Sequence, residues 1–205
     1  MDLRLGIGRL ALWALLLGGV TFSVFGCAGD GPRTSTAIYF GAQGTTATVF
    51  GVPEQEEEGE PEEKQLGRGV VVDEGIVATA CHVIDGLSPF VVLNDRREGE
   101  VIESVADLCL LELVSERSAL EPIEFASAYD LLPGQRIYLI GSIGVEDSVF
   151  SAGEVVGFAR DSGGWSPGNF LLVYTADIAR GSSGGPVLDE RGRLVGITVA
   201  KTEDQ

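Results

Sequence analysis

The sequence predicts an all-β protein built as two antiparallel β-barrels of the six-stranded type. Its 205 residues include 29 glycines and 8 prolines, a composition that indicates many turns. Valine, isoleucine and threonine cluster in short runs between those turns, as is typical of strands. The candidate strands fall into two groups, residues 46–115 and residues 123–205, which together form the predicted folded domain, residues 46–205. Residues 115–122 are predicted to link the two groups.

Six candidate strands precede the linker, which is enough for a closed barrel that leaves no exposed strand edge. In chain order they are residues 46–52, 70–72, 76–78, 90–93, 101–102 and 108–114. The turn Asp73-Glu74-Gly75 predicts a hairpin between the second and third strands. Residues 54–64 are densely acidic, and such a run repels itself, so it is predicted to be an exposed mobile loop. Recruitment of a basic partner or of calcium is the alternative for this loop.

The second group contains five candidate strands where a closed barrel of this type has six. They are residues 136–140, 148–158, 170–175, 186–188 and 193–200. Because the chain stops soon after Ala200, the second barrel is expected to lack its last strand.

The N-terminal residues are typical of an export signal. Arg4 and Arg9 precede residues 10–29, which carry no charge and are rich in leucine, glycine and valine. Residues 24–27 (Val-Phe-Gly-Cys) look like a bacterial lipobox, so residues 1–26 are predicted to be a lipoprotein-type signal peptide with Cys27 as the lipidated residue. Plain secretion or a retained membrane-spanning helix are the alternatives. Residues 27–45 are predicted to form a flexible tether, and the domain is expected to lie in the cell envelope or periplasm.

The net charge of −17 argues against nucleic acid as a partner, because phosphate binding needs a basic stripe. Once Cys27 is assigned to the lipid, Cys81 and Cys109 remain. In an exported protein this pair either forms a disulfide or contributes two small buried thiols to the core. The sequence leaves both readings open.

Three short motifs carry the candidate chemistry. The single histidine lies in residues 79–83 (Thr-Ala-Cys-His-Val), so His82 cannot belong to a multi-histidine metal site. Asp107 opens the apolar run at residues 107–111, and residues 181–186 have the sequence Gly-Ser-Ser-Gly-Gly-Pro. The order His, Asp, Ser is that of one group of serine hydrolases. No metal and no cofactor are predicted.

These residue types suit nucleophilic catalysis. A serine hydroxyl needs a neighbouring base to take its proton, and an imidazole held by a buried carboxylate can do so. The Gly-x-Ser-Gly-Gly-Pro frame selects Ser183 over Ser182 as the nucleophile. The N–H groups of Gly181 and Ser183 are the candidate oxyanion donors. Taken singly, each residue has a structural alternative: a core histidine, a strand-end cap or part of a glycine-rich turn.

Together the motifs resemble the trypsin-like (chymotrypsin-fold) serine peptidases, with the HtrA/DegP-type bacterial branch closest and without a PDZ domain. The resemblance covers roughly residues 46–200. It implies two barrels with the active site between them, with His82 as general base, Asp107 as its orienting partner and Ser183 as nucleophile. It further implies a serine endopeptidase that cleaves exposed or misfolded protein segments through an acyl-enzyme. The alternative is a catalytically weak or inactive module that binds peptides or protein partners.

Asp177 lies six residues before Ser183, where trypsin-like digestive enzymes place the acid that selects lysine or arginine. It is therefore a candidate for the specificity pocket. The other reading is a solvent-facing or backbone-bonded aspartate beside the loop.

Overall fold

Eleven strands form two sheets in the part of the chain that the computed structural model describes, which is residues 31–53, 64–92, 96–114, 121–143, 147–164, 166 and 170–199. The strands are β1 Thr46–Pro53, β2 Lys64–Asp73, β3 Ile76–Ala80, β4 Leu87–Val92, β5 Arg96–Val105, β6 Leu108–Leu113, β7 Arg136–Ile143, β8 Asp147–Arg160, β9 Phe170–Tyr174, β10 Pro186–Leu188 and β11 Leu194–Ile197. The same described residues contain one α-helix, α1, which spans Ser35–Gln43, and single 3-10 turns at Cys81–Val83 and Ala128–Asp130.

The first sheet closes into a six-stranded antiparallel barrel with the order β1-β2-β3-β6-β5-β4. Pairing of β1 with β4 completes the closure. Alternate residues point inward, and the core contains fully buried Val49, Val77 and Leu111. The hairpin between β2 and β3 turns at Gly75, whose φ of 75° is one that glycine adopts without strain. The predicted first barrel is therefore confirmed.

The second sheet has five strands in the order β11-β10-β7-β8-β9 within the described residues, and it curls into a half-barrel. This agrees with the prediction of a second barrel that lacks one strand. Its concave face is lined by buried Ile137, Leu139 and Val155. Among these described residues the sheet does not close, so β9 and β11 are its two edges.

A separate apolar cluster joins the two sheets. Val70 and Ala78 of the first barrel lie in the same cluster as Ile140 and Leu188 of the second sheet. All four side chains are buried, with at most 4% of their surface exposed. Burial of this surface holds the two sheets together through the hydrophobic effect.

The prediction of a flexible tether over residues 27–45 is wrong for the segment that forms α1. The hydroxyl of Thr34 caps the helix by accepting a hydrogen bond from the Ala37 N–H at 3.2 Å. Ile38 and Ala42 lie four residues apart, on one helix face, and both are buried in the cluster between the sheets. The small, polar composition of the segment hid this two-residue apolar face.

Several predictions fall outside the described residues. The signal peptide, Cys27 and acidic residues 54–63 belong to this group. Among the described residues, no helix combines the length and apolar character needed to cross a membrane.

Candidate active site

His82 and Asp107 are brought together by the pairing of β3 with β6. The register places Ala80 opposite Leu108, so the residues just beyond, at the end of β3 and the start of β6, are also neighbours. His82 Nδ1 lies 2.7 Å from Asp107 Oδ2, and the His82 backbone N–H donates to Asp107 Oδ1 at 2.9 Å. A carboxylate can only accept, so in the neutral imidazole this contact favours the tautomer with the proton on Nδ1 and with Nε2 as the acceptor.

The two side chains of this pair differ in exposure. The Asp107 carboxylate is 14% exposed, whereas the His82 ring is 45% exposed. A shielded carboxylate behind an open imidazole is the arrangement that lets the ring receive a proton from a group on its outer side.

Ser183 lies in the turn that precedes β10, and this turn packs on the first barrel. The Arg68 N–H in β2 donates to the Ser183 carbonyl at 2.7 Å. A Cβ added to Gly67 would overlap that carbonyl and would lie 2.8 Å from a methyl group of Val83. The carbonyl of Ser183 and the side chain of Val83, the residue after His82, therefore lie close to the same glycine.

Glycine is required where this turn approaches β2 and β3. Gly184 has a φ of 81°, and a Cβ there would overlap the Arg68 carbonyl. The same Cβ would lie 2.5 Å from the hydroxyl of Thr79, which donates to the Arg68 carbonyl at 2.7 Å. Gly184 thus supplies both a left-handed backbone and the space for close docking.

The N–H groups of the turn divide into two sets. Those of Ser182, Gly184 and Gly185 donate to backbone carbonyls at 2.7–3.2 Å. Among the described residues, no backbone carbonyl accepts from the N–H of Gly181 or Ser183. These two donors are the ones that the sequence predicts for an oxyanion site.

The two adjacent serines have different surroundings. Ser182 is buried, with 4% of its surface exposed, and its Oγ packs against Gly141 and lies 3.4 Å from the Ser142 N–H. Ser183 is half-buried. Only Ser183 has the partial exposure that a nucleophile needs to meet a substrate.

Cys81 and Cys109 are joined by a disulfide, with their Cα atoms 5.0 Å apart. The sequence left two possibilities open, a disulfide or two buried free thiols, and the structure contains the disulfide. Cys109 is buried in the core of the first barrel, and Cys81 packs against that core.

Asp177 is exposed, and Ser151 Oγ donates to its backbone carbonyl at 2.8 Å. It lines a groove of about 610 Å³ that is walled by β9 on one side and β11 on the other. Most of the lining is apolar, and Tyr129 stacks on Phe158 at its rim with ring centroids 5.7 Å apart. Asp177 is therefore a rim residue of this groove, not a buried group at its floor.

Sequence reasoning missed Arg68. This arginine is 4% exposed between the two sheets, and its Nη1 donates to Thr48 Oγ1 at 3.1 Å. Burial lowers the pKa of its guanidinium. The Gly-Arg-Gly sequence at residues 67–69 was the available signal, because paired glycines mark close backbone approach.

No group of three or more histidine, cysteine, aspartate or glutamate side chains that could hold a metal ion is present among the described residues.

The fold and the site together define a class of protein. Its members combine a closed barrel and a second, barrel-like sheet with a paired histidine and aspartate beside a glycine-rich serine turn. The family model for the trypsin-like peptidase domain matches residues 67–197, so the chain belongs to this family. It is 33% identical over 143 residues to "Protease Do-like 1, chloroplastic" of Arabidopsis thaliana, a match that covers 65% of this chain and 33% of that protein. It is 32% identical over 141 residues to "Probable periplasmic serine endoprotease DegP-like" of Bartonella henselae, covering 66% of this chain and 28% of that protein.

Among solved structures, "HtrA-type protease AlgW with decapeptide" superposes with a TM-score of 0.72 at 19% identity. The match covers 83% of this chain and 60% of that one, and it shows the fold. The resemblance to the HtrA/DegP-type branch is confirmed by these relatives. The chain spans only about a third of the length of these two curated relatives.

Proposed function

We propose that the chain is a serine endopeptidase that cleaves exposed or misfolded protein segments through an acyl-enzyme intermediate. The observation that carries the proposal is the double contact of one shielded carboxylate, Asp107, with the ring and the backbone of His82. Membership of the trypsin-like peptidase family supports it independently.

In the proposed mechanism His82 Nε2 takes the hydroxyl proton of Ser183 as its Oγ attacks the substrate carbonyl. The N–H groups of Gly181 and Ser183 stabilise the oxyanion of the tetrahedral intermediate. His82 then returns the proton to the leaving amine, the C–N bond breaks, and the acyl group remains on Ser183. Water, activated by the same imidazole, hydrolyses the ester and restores the enzyme.

We place this activity in the bacterial cell envelope, with Cys27 as the lipid attachment site. Support comes from the basic start, the uncharged stretch and the lipobox-like residues 24–27. The name of the Bartonella relative contains the word "periplasmic", which agrees with an exported domain. Protein or peptide segments are the proposed substrates.

The second candidate is a catalytically weak module that binds peptides or protein partners in the same fold. The observation that favours it is the second sheet, which is open among the described residues and whose edges β9 and β11 wall a groove that Asp177 and Ile178 also line. Asp177 and Ile178 lie just before the serine turn in the chain. A groove that is open beside this turn would hold a substrate side chain less firmly than a closed barrel would.

A fluorophosphonate probe separates the two candidates, because it reacts with a serine only when the serine is activated by its base. We expect the wild-type chain to be labelled at Ser183. Ser183→Ala and His82→Ala should abolish labelling and should lower hydrolysis of unfolded casein by at least about 10³-fold.

Ser182→Ala is the matched control, since it removes a hydroxyl from the adjacent, buried position. It should retain labelling. If the folded wild-type chain is never labelled, or is labelled equally in Ser183→Ala, the peptidase proposal fails and the binding module is favoured.

A further inference from the structure

The disulfide lies close in sequence to both His82 and Asp107, the two residues that would move the proton. Cys81 directly precedes His82, and Cys109 follows Asp107 by two residues. Asp107 is the turn residue just before β6, and Cys109 is the second residue of that strand. The bridge therefore crosses from β6 to the turn that carries His82 at the point where the two catalytic elements meet.

His82 is held by a short piece of chain. It is the middle residue of the single 3-10 turn Cys81–Val83, which closes through the Ile84 N–H donating to the Cys81 carbonyl at 3.0 Å. On one side Val83 is anchored in the core with 2% of its surface exposed. On the other side the anchor is Cys81, which the disulfide ties to buried Cys109.

Three hydrogen bonds depend on the spacing between this turn and Asp107. The Cys81 N–H donates to the Asp107 carbonyl at 2.7 Å, and the backbone and ring of His82 donate to the two carboxylate oxygens at 2.9 and 2.7 Å. A shift of the turn along β6 would stretch all three together. The disulfide opposes that shift covalently, because it joins the same two segments.

We propose that the Cys81–Cys109 disulfide positions His82 against Asp107, so that turnover by this chain depends on the pair being oxidised. This inference rests on the proposed peptidase function. Neither cysteine is among the described residues that line the groove, so loss of the bridge should lower kcat and leave KM nearly unchanged. A displacement of about 1 Å at a catalytic group can cost on the order of 10²-fold in rate, and we expect a loss of at least about tenfold.

The test compares the full-length wild type with Cys81→Ser, Cys109→Ser and the double variant. Each single change breaks the same bond, so all three should show the same fall in kcat and in the rate of fluorophosphonate labelling. Dithiothreitol should produce that fall in the wild type: it gives two electrons and two protons to the bridge, leaves two thiols, and itself becomes a cyclic disulfide. The double variant should not respond, and reoxidation should restore the wild type.

Val155→Ala is the control for a general loss of stability, because Val155 is buried in the second sheet, away from this pair. Measured well below every melting temperature, it should retain wild-type kcat. Equal kcat in the wild type and the double variant would overturn the positioning role. So would peptide mapping that finds Cys81 and Cys109 as free thiols in wild-type protein purified without a reductant. Failure of the oxidised wild type to label at all would instead refute the peptidase function, and the positioning role with it.

Discussion

Among single residues, Tyr174 at the end of β9 has an environment that changes its acid–base behaviour. Its side chain is partly buried, lines the groove, and has its hydroxyl 3.4 Å from Thr198 Oγ1. Burial raises the pKa of Tyr174, and the contact with Thr198 lowers it by a smaller amount. The neutral phenol is therefore favoured in the folded state.

This shift predicts how stability changes in alkaline solution. Above the ordinary tyrosine pKa of about 10, the unfolded chain loses the Tyr174 proton while the folded chain keeps it. The folded state then binds more protons, so the free energy of unfolding falls as the pH rises from about 10 through the higher folded pKa. Tyr174→Phe should show a shallower fall, measured by urea unfolding between about pH 9 and 11. Tyr129→Phe, at a site that is 74% exposed, should behave like the wild type, and equal slopes for wild type and Tyr174→Phe would contradict the prediction.

The candidate catalytic residues could be proposed from the sequence because each lies in a short motif, and the neighbouring residues in that motif have structural requirements of their own. Residues 181–186 carry the glycines that a tight, close-packed turn requires, and the structure uses Gly184 in that way. The glycines on either side of Arg68 indicate close backbone approach there, but they do not show which sheet covers the arginine, so its burial could not be predicted. The same holds for Asp177, whose exposure depends on how the loop before Ser183 is tied to Ser151.

On the scale of secondary-structure elements, helix α1 depends on tertiary contacts for its stability. Its sequence includes Gly41 and offers only two buried side chains, Ile38 and Ala42. Short helices of this kind gain little from intrinsic propensity, so their stability comes from the surface that they bury. Tyr39 adds an edge contact with Phe150 of β8, with ring centroids 5.4 Å apart.

Ile38→Ala should therefore destabilise the whole domain. Ile38 is 1% exposed in the cluster between the sheets, and its removal leaves a cavity there. We expect a loss of about 2–4 kcal/mol in the free energy of unfolding, measured by urea titration with an unchanged m-value.

Phe40→Ala is the matched control on the same helix, because Phe40 is 66% exposed. It should change the free energy of unfolding by less than about 1 kcal/mol. Similar small losses for both variants would show that α1 contributes little to the folded domain in solution.

The strands could be predicted more fully than the helix. Alternating apolar residues and turn glycines identify strands locally, as in the hairpin of β2 and β3. The apolar face of α1 consists of only two residues, which a composition of small and polar side chains conceals. Sequence also could not decide between a disulfide and two free thiols, because the register of β3 against β6 sets the distance between Cys81 and Cys109.

On the scale of the whole molecule, two sheets of unequal completeness share one apolar cluster. The first barrel closes, so its hydrogen-bonding groups are paired around the full circle. The second sheet ends at β9 and β11, and the groove lies between these edges. The His82–Asp107 pair is thus built within the closed barrel, whereas the serine turn belongs to the open sheet and depends on docking to β2 and β3 for its position.

The net charge of −17 should make the proposed peptidase select basic substrates by long-range attraction. Charges of one sign raise the local concentration of oppositely charged ligands, and salt screens this effect over a Debye length of about 10 Å at 0.1 M. We expect a peptide with lysine-rich flanks to be cleaved with a kcat/KM on the order of tenfold higher than the same core with glutamate-rich flanks at low salt. The ratio should fall towards one at about 0.5 M NaCl, where the Debye length is only a few ångströms.

Labelling by an uncharged fluorophosphonate is the control for this prediction. Its rate should not respond to salt, because the probe carries no charge that the field of the protein could attract. A preference for the basic peptide that persists at high salt would instead place the selectivity in a short-range contact, and Asp177→Asn would then test the one charged side chain that lines the groove among the described residues.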